Sequence, residues 1–591
     1  MDKDTESSYI GPITENTALI SLEYKLNATV ALDEGNFRNA IYYQTQSLGA
    51  SKRKNYSEIS RKRKDIGALI DVMINSKNGK RKNDVLLSHI GFTEICKRCD
   101  ELPQEWTVIQ IAKQFSPVAT CMTHEELLQE PTPIWITIFR CSDPCEGSKF
   151  EPILIALDPP DNSDCSIKYQ NIFEHIVSIP SEVRKAIAGK FPSTQGKSPS
   201  SQLEDVEHLI GSAIQRVSEW LGPWSNLFIG KFRSKSEQKL EHEIYSQIEN
   251  FCVHNGINRT NQRLVSLVAR RLDLLEDVQL YELCCSDQLS LDDAKIETLY
   301  AFLSDLKRQK FNEKMGERLD CYPVMLIIDE LLDTMPWEMI HSTGEFCRFG
   351  SFWSLSNLYR THAKRIKNGY FCMSAKTCCA IINPDKNLDK MSARLQMFYK
   401  EWNPDFRLLI DQAPTESEFS ELLNKSDVLI YNGHGSGLQF MNGESLMQRD
   451  INCVTFLFGC DSVRLHSNGL FTEMTGSHLY YGSARCPAVI GALWVLTDLF
   501  TDIYSMLLVG NWIPSTNSKY DKKKICSLDM VAFKECNWQF NKTSSSAKLL
   551  VNTHPNLVKL MGDCRMFHQL PQRIRCALVC RGLPVMNEAC N

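Results

Sequence analysis

The chain has 591 residues, 43% of them hydrophobic and 23% charged, values that exclude wholesale disorder. Its 66 basic and 71 acidic residues leave a net charge of −5, which argues against a protein dominated by nucleic-acid binding. The 23 cysteines are too sparse for a disulfide scaffold, and the N-terminal MDKDTESSYIGP has no basic start followed by an apolar run. Reduced thiols in a soluble intracellular chain are therefore expected.

The first hundred residues read as a helical region. The basic runs Lys52-Arg53-Lys54, Arg61-Lys62-Arg63-Lys64 and Lys77 to Lys82 flank the apolar segment Ile66 to Ile74. They fit a nuclear-localisation or phosphate-contacting role and equally a solvated helix face beside a loop. Cys96-Lys97-Arg98-Cys99 and the looser pair Cys141 and Cys145 lack a second pair or histidines at zinc-site spacing, so no metal or cofactor is expected.

From Trp106 short β-rich runs follow, namely WTVIQIA, PIWITIFR and EPILIAL. A helical segment comes next, then a polar Ser/Pro/Gly-rich stretch, Phe191 to Gln202, that reads as an exposed loop. From Val206 to about Lys310 apolar residues recur at helical spacing, as in LIGSAIQRVSEWLGPW. Beyond Tyr322 the buried-type runs VMLIID, CCAIIN, FRLLID, DVLIYNGH, VTFLFGC, PAVIGALWVLTD and IRCALVCRGLPV alternate with helical segments such as ESEFSELLNK and GLFTEMTGSHLYYGS. That alternation predicts an α/β fold with a mainly parallel sheet flanked by helices. The most apolar stretch, Cys486 to Trp512, is cut by Asp498 and Asp502 and does not read as a membrane span.

In such sheets functional residues gather at the carboxyl ends of strands. Two strand ends stand out. Asp427 to Tyr431 leads into Asn432-Gly433-His434-Gly435-Ser436-Gly437, and Val454 to Phe458 leads into Gly459-Cys460-Asp461-Ser462. The separation of His434 from Cys460 suits two neighbouring strands. A thiol of ordinary pKa is mostly protonated at neutral pH and needs an adjacent histidine to become a nucleophile. The glycines free the backbone to take positive φ and let a peptide approach, which assigns the Gly435 and Cys460 N–H groups to an oxyanion hole. A tight glycine-rich turn with a structural histidine is the plainer alternative, and GHGSG fits neither phosphate-loop pattern.

Tyr431-Asn-Gly-His434-Gly-Ser-Gly437 and Leu457-Phe-Gly-Cys460 resemble the histidine and cysteine motifs of the separase family, caspase-related cysteine endopeptidases. Met335-Pro336-Trp337-Glu338 resembles the family's Leu-Pro-Trp-Glu segment, and Ala484 to Asp502 its Trp-Asp-Val-Thr-Asp run. Gly582-Leu-Pro-Val585 resembles the closing strand, while Leu102 to Ile109 and Trp220-Leu-Gly-Pro-Trp224 resemble the preceding substrate-binding part.

The resemblance implies a helical N-terminal region over residues 1–100, a substrate-binding, pseudo-protease domain over 101–315 and a caspase-like protease domain over 316–591. It implies Cys460 as nucleophile and His434 as general base, with a cohesin kleisin subunit cut after arginine in a Glu-x-x-Arg context to release sister chromatids at anaphase. Securin is the implied inhibitory chaperone, binding as a pseudosubstrate. The chain resembles the short insect form, for which a separate helical subunit supplies the long N-terminal arm. A cytoplasmic location with access to chromosomes at mitosis is implied as well.

Three departures stand out: Asp461 replaces a serine beside the nucleophile, Trp494-Val495-Leu496-Thr497-Asp498 lacks the first acid, and Arg348-Phe-Gly-Ser351 replaces Arg-x-Pro-Ser. Aligned on Trp494, Asp502 and Asp498 are the candidate acids for an arginine pocket that Trp494 also lines, Asp502 preferred; Asp498 after Thr497 reads equally as a helix N-terminal residue. Glu345-Phe-Cys-Arg348 matches the cleavage context but lies inside the expected fold and is discounted. The alternative from another class is a catalytically silent scaffold that uses the same cleft to hold partner proteins.

Overall fold

The computed structural model describes residues 17–50, 84–116, 122–123, 126–127, 130, 132–141, 151–158, 172–188, 199–311, 320–467, 473–517, 524–525, 533–536, 551–552 and 554–590. The three basic runs between residues 52 and 82 lie outside them, as does most of the stretch expected as an exposed loop.

The ten expected strands and one unexpected one, Phe346–Phe349, form an eleven-stranded sheet. In chain order they are β1 (Thr107–Lys113), β2 (Ile134–Arg140), β3 (Ile153–Leu157), β4 (Val324–Ile328), β5 (Phe346–Phe349), β6 (Cys378–Ile382), β7 (Arg407–Ile410), β8 (Val428–Asn432), β9 (Val454–Phe458), β10 (Ala488–Ala492) and β11 (Leu578–Gly582). Their spatial order is β3-β2-β1-β4-β5-β11-β10-β9-β8-β6-β7. The first three strands pair antiparallel with one another and β10 pairs antiparallel with β11; the remaining neighbours are parallel. Every residue of β8 and β9 is buried, as parallel strands covered on both faces require, and this is why they read as unbroken apolar runs.

Helices cover the sheet: α1 (Thr17–Asp33), α2 (Phe37–Ser47), α3 (Asp84–Glu101), α4 (Ile172–Ala188), α5 (Pro199–Leu221), α6 (Lys235–His254), α7 (Arg259–Ala269), α8 (Asp277–Cys285), α9 (Asp293–Lys310), α10 (Phe352–His362), α11 (Asp389–Trp402), α12 (Glu416–Lys425), α13 (Gly443–Met447), α14 (Ser477–Ser483), α15 (Asp498–Trp512), α16 (Leu557–Arg565) and α17 (Gln572–Arg575). The sequence sets their limits locally. Thr415 accepts from the Glu418 N–H at 3.2 Å and Glu418 accepts from the Thr415 N–H at 2.8 Å, a reciprocal cap that starts α12. Among the described residues no helix is long and apolar enough to cross a membrane.

Two local expectations change. The end of the predicted loop, 199–202, is the first turn of α5, because Pro199 is suited to a helix's first position, where no N–H partner is needed. Of the helix expected over GLFTEMTGSHLYYGS, the described residues place α14 at Ser477–Ser483, and just ahead of it His466 and Thr475 exchange backbone hydrogen bonds of 2.7 and 2.9 Å in an antiparallel bridge.

The division expected at 315/316 does not coincide with a break in the sheet. β4 and β5 lie beside β1, so strands up to Phe349 form one flank and β6 to β11 the other, meeting where Arg348 pairs with Arg581. Buried charges stitch this joint. Asp333 accepts both guanidinium nitrogens of Arg581 at 2.9 and 2.5 Å, and its carbonyl accepts from Arg348 at 2.5 Å. Arg348 also donates to both carboxylate oxygens of Glu338 at 2.7 and 2.6 Å. The Trp-Glu motif is thus the place where a buried guanidinium finds a bidentate partner. Glu345 is equally committed, accepting from Arg233 and Tyr370 at 2.7 Å each, so the internal Glu-x-x-Arg is a core strand with both end side chains engaged.

Candidate active site

β8 and β9 are parallel neighbours in the register Asn432 to Phe458. His434 and Cys460 therefore each stand two residues beyond a paired pair of strand ends, at the carboxyl edge of the sheet. The loops that carry them touch. A Cβ on Gly459 would stand 2.1 Å from the carbonyl oxygen of Gly435 and 2.8 Å from that of Gly433, so only glycine lets the cysteine turn lie directly against the histidine turn. Gly435 itself has a φ of +68°, with open space where a side chain would point, so its backbone can be approached closely.

The histidine turn is fixed from below. The Tyr431 hydroxyl donates to the His434 carbonyl at 2.5 Å, and Gln439 donates to both groups, at 2.6 Å to the hydroxyl and 3.1 Å to the carbonyl. The imidazole is exposed, and its Nε2 lies 3.1 Å from Oδ1 of Asn387, an acceptor that suits the tautomer with its proton on Nε2. Asn387 is held in turn by Asn383, whose side-chain oxygen accepts from the N–H groups of Asn387 and Leu388 at 3.1 and 2.9 Å.

Cys460 is partly buried. The Leu496 N–H donates to its Sγ at 3.3 Å, and Sγ lies 3.6 Å from the Leu496 carbonyl. Burial pushes the thiol upward, the backbone bond from Leu496 pulls it down, the Asp461 carboxylate pushes it up and the Arg184 guanidinium pulls it down. Burial also governs thiols deeper in the core. Cys99 and Cys453, for instance, are buried and pushed up to about 12 by burial, Cys99 donating to the Phe139 carbonyl at 3.3 Å. Among the described residues no three His, Cys, Asp or Glu side chains gather as a metal site.

The acids assigned to an arginine pocket are together, but on the chain's own cation. Arg394 of α11 donates through Nε to Asp502 at 2.7 Å and through Nη2 to Asp498 at 3.0 Å, and its guanidinium lies 5.5 Å from the centre of the Phe533 ring. Asp502 is 1% exposed, with its second oxygen unpartnered, while the Asp498 side chain at the start of α15 is 45% exposed. Trp494 is a core residue: it is fully buried and its indole N–H is spent on the Arg573 carbonyl at 2.7 Å, so it presents no surface to a substrate. The site also contains residues that the sequence reading did not single out, namely Asn387, Leu496, Arg184 and Arg394. None of them carried a sequence signal of its own; the Asn-Pro-Asp turn at 383–385 that follows β6 marks only the loop in which Asn387 lies.

Fold and site together define a class: a mixed α/β protein that carries a thiol and an imidazole on adjacent parallel strand ends. The family model described as Separin_C (Separin, protease domain) matches residues 204–502, which include both side chains. The chain belongs to that family. It is 28% identical to mouse separin over 314 residues, 27% to separin of the fission yeast Schizosaccharomyces pombe over 262, and 30% to that of Saccharomyces cerevisiae over 128. These alignments cover 52%, 44% and 21% of this chain but only 14%, 14% and 8% of the relatives, so the chain spans a small part of their length. Two crystal structures of the S. cerevisiae separase–securin complex share its fold, with TM-scores of 0.62 and 0.65 at 15% identity. They match over 94% and 97% of this chain and 34% and 36% of theirs.

Proposed function

We propose that the chain is a cysteine endopeptidase that cuts after arginine in a Glu-x-x-Arg context, with a cohesin kleisin subunit as substrate and securin as its inhibitory partner. The observation that carries the reading is the contact of the two strand-end turns through Gly459, which brings the turn that bears His434 against the turn that bears Cys460. Membership of the separin protease-domain family supports it.

In this mechanism Nδ1 of His434 takes the Cys460 proton as Sγ attacks the peptide carbonyl. The developing oxyanion is met by the N–H groups of Gly435 and Cys460. The imidazolium then protonates the leaving amine, and water, deprotonated by the same imidazole, hydrolyses the thioester. Asn387 keeps the productive tautomer. Asp498, the more exposed acid, and Asp502 behind it form the arginine pocket, with Arg394 the resident guanidinium that an incoming arginine displaces or shares.

The test is cleavage of a Glu-x-x-Arg kleisin peptide by the purified, inhibitor-free chain. Cys460→Ser and His434→Ala should each lose about a thousandfold or more of the rate. Cleavage unchanged in Cys460→Ser would overturn the mechanism, and no cleavage by the parent would leave the scaffold reading in its place.

A further inference from the structure

Asp461 is an unusual neighbour for a nucleophile. It follows Cys460 directly, takes a left-handed φ of +53°, and its side chain is only 14% exposed. A carboxylate so close to a thiol opposes formation of the thiolate, because like charges at short range disfavour each other. Its partners come from elsewhere in the chain. Arg184 of α4, 277 positions away, hydrogen-bonds Oδ2 of Asp461 through Nη2. Arg464 stands 3.5 Å from the other oxygen, which accepts no hydrogen bond.

We propose that Arg184 is a positioning residue for the nucleophile: it holds Asp461 turned away and cancels its charge, so that the N-terminal flank of the molecule completes the thiol site. The inference rests on the reading of Cys460 as nucleophile.

The scaffold behind Arg184 is firm. Ile172, Phe173, Ile176, Ile179, Val183 and Ala186 of α4 are all buried, fixing the helix while the Arg184 side chain reaches out of it. The same flank reaches the other side of the thiol. Glu207 of α5 accepts from the Gln572 N–H at 2.5 Å and pairs with the Arg573 guanidinium; the Arg573 carbonyl holds the Trp494 indole, two residues before the Leu496 N–H that bonds Sγ. Among the described residues, the charged groups that act on Cys460 are Asp461 on its own turn and Arg184 from α4; Arg464 and His466 on the following segment face Asp461, and His434 lies on the adjacent strand end. Arg184 is the one supplied by the N-terminal flank.

The test reads the thiol without any substrate. The rate of iodoacetamide alkylation at Cys460, followed by peptide mass spectrometry of the full chain, is measured against pH in the parent, Arg184→Ala, Arg184→Lys, Asp461→Ser and the Arg184→Ala/Asp461→Ser double variant. Arg184→Ala should move the half-point to higher pH and slow alkylation at neutral pH about threefold to tenfold, a shift of roughly half to one pKa unit. Arg184→Lys should recover part of the rate, and in the Asp461→Ser background loss of Arg184 should have a clearly smaller effect, limited to the guanidinium's own pull on the thiol. An unshifted profile in Arg184→Ala, or the same shift with and without Asp461, would overturn the proposal. Because the readout needs no peptide cleavage, a chain that alkylates as expected but does not cut would count against the proposed function alone. The Arg184 side chain is 59% exposed, so its removal does not threaten the fold.

Discussion

Gly459, Gly435 and Asn387 set the geometry around His434 and Cys460, and each makes a different demand. At Gly459 the obstacle is backbone, the carbonyl oxygens of Gly435 and Gly433, which cannot swing aside as a side-chain end can. Gly459→Ala should therefore separate the two turns and lower peptide turnover ~100-fold, the scale of an ångström-sized misplacement of reacting groups. Gly435→Ala meets open space and should cost only the strain of its positive φ, roughly 1–2 kcal/mol in urea unfolding. Asn387→Ala removes one hydrogen bond to the imidazole; turnover should fall about fivefold, the equivalent of ~1 kcal/mol, with unfolding unchanged. His434 and Cys460 were legible in the sequence because apolar strands end abruptly in glycine beside them. Asn387 was not, since a turn asparagine that caps its own backbone reads the same as one that orients a base.

Between elements, the packing of α11 against α15 decides what Asp502 does. Burial pushes its carboxyl up to about 8, with Arg394 pulling down and Asp498 pushing up, and Asp498 at the exposed side supplies counter-charge to Arg394. A carboxyl whose folded-state pKa lies above the ordinary value near 4 favours the fold through its protonated form. That contribution is whole below about pH 4 and is lost as pH rises through about 8. Stability to urea should fall over that window in the parent and fall less steeply in Asp502→Asn, which is neutral throughout; parallel profiles would contradict the assignment. The acid pair was legible by its offset from Trp494. Its occupant was not, because the pattern of α11 shows which face is buried but not that a buried arginine reaches another helix's carboxylates. Trp494 illustrates the same limit: position in a motif does not separate a pocket wall from the core beneath it.

Across the whole molecule the sheet is continuous, yet its two flanks meet at a narrow joint where Arg348 and Arg581 share Asp333. Asp333→Ala leaves the Arg581 guanidinium buried without its partner and should cost about 3–5 kcal/mol in urea unfolding, whereas an exposed pair such as Arg38–Glu151 should be worth less than about 1 kcal/mol. The strands themselves were legible from their apolar runs except β5, whose four residues include Arg348. Their assembly was not, because β4 and β5 follow the long helical stretch in sequence but join the strands before it, a crossover that local periodicity does not encode. The same long-range closure brings α4 to Asp461 and ties the N-terminal flank to the thiol. The proposed chemistry rests on one thiol among 23. Treating the purified chain with an arginyl acyloxymethyl ketone and mapping the adduct by mass spectrometry tests it directly. The adduct is predicted on Cys460 and lost in His434→Ala; an adduct on another cysteine, or one on Cys460 that forms equally well without His434, would contradict it.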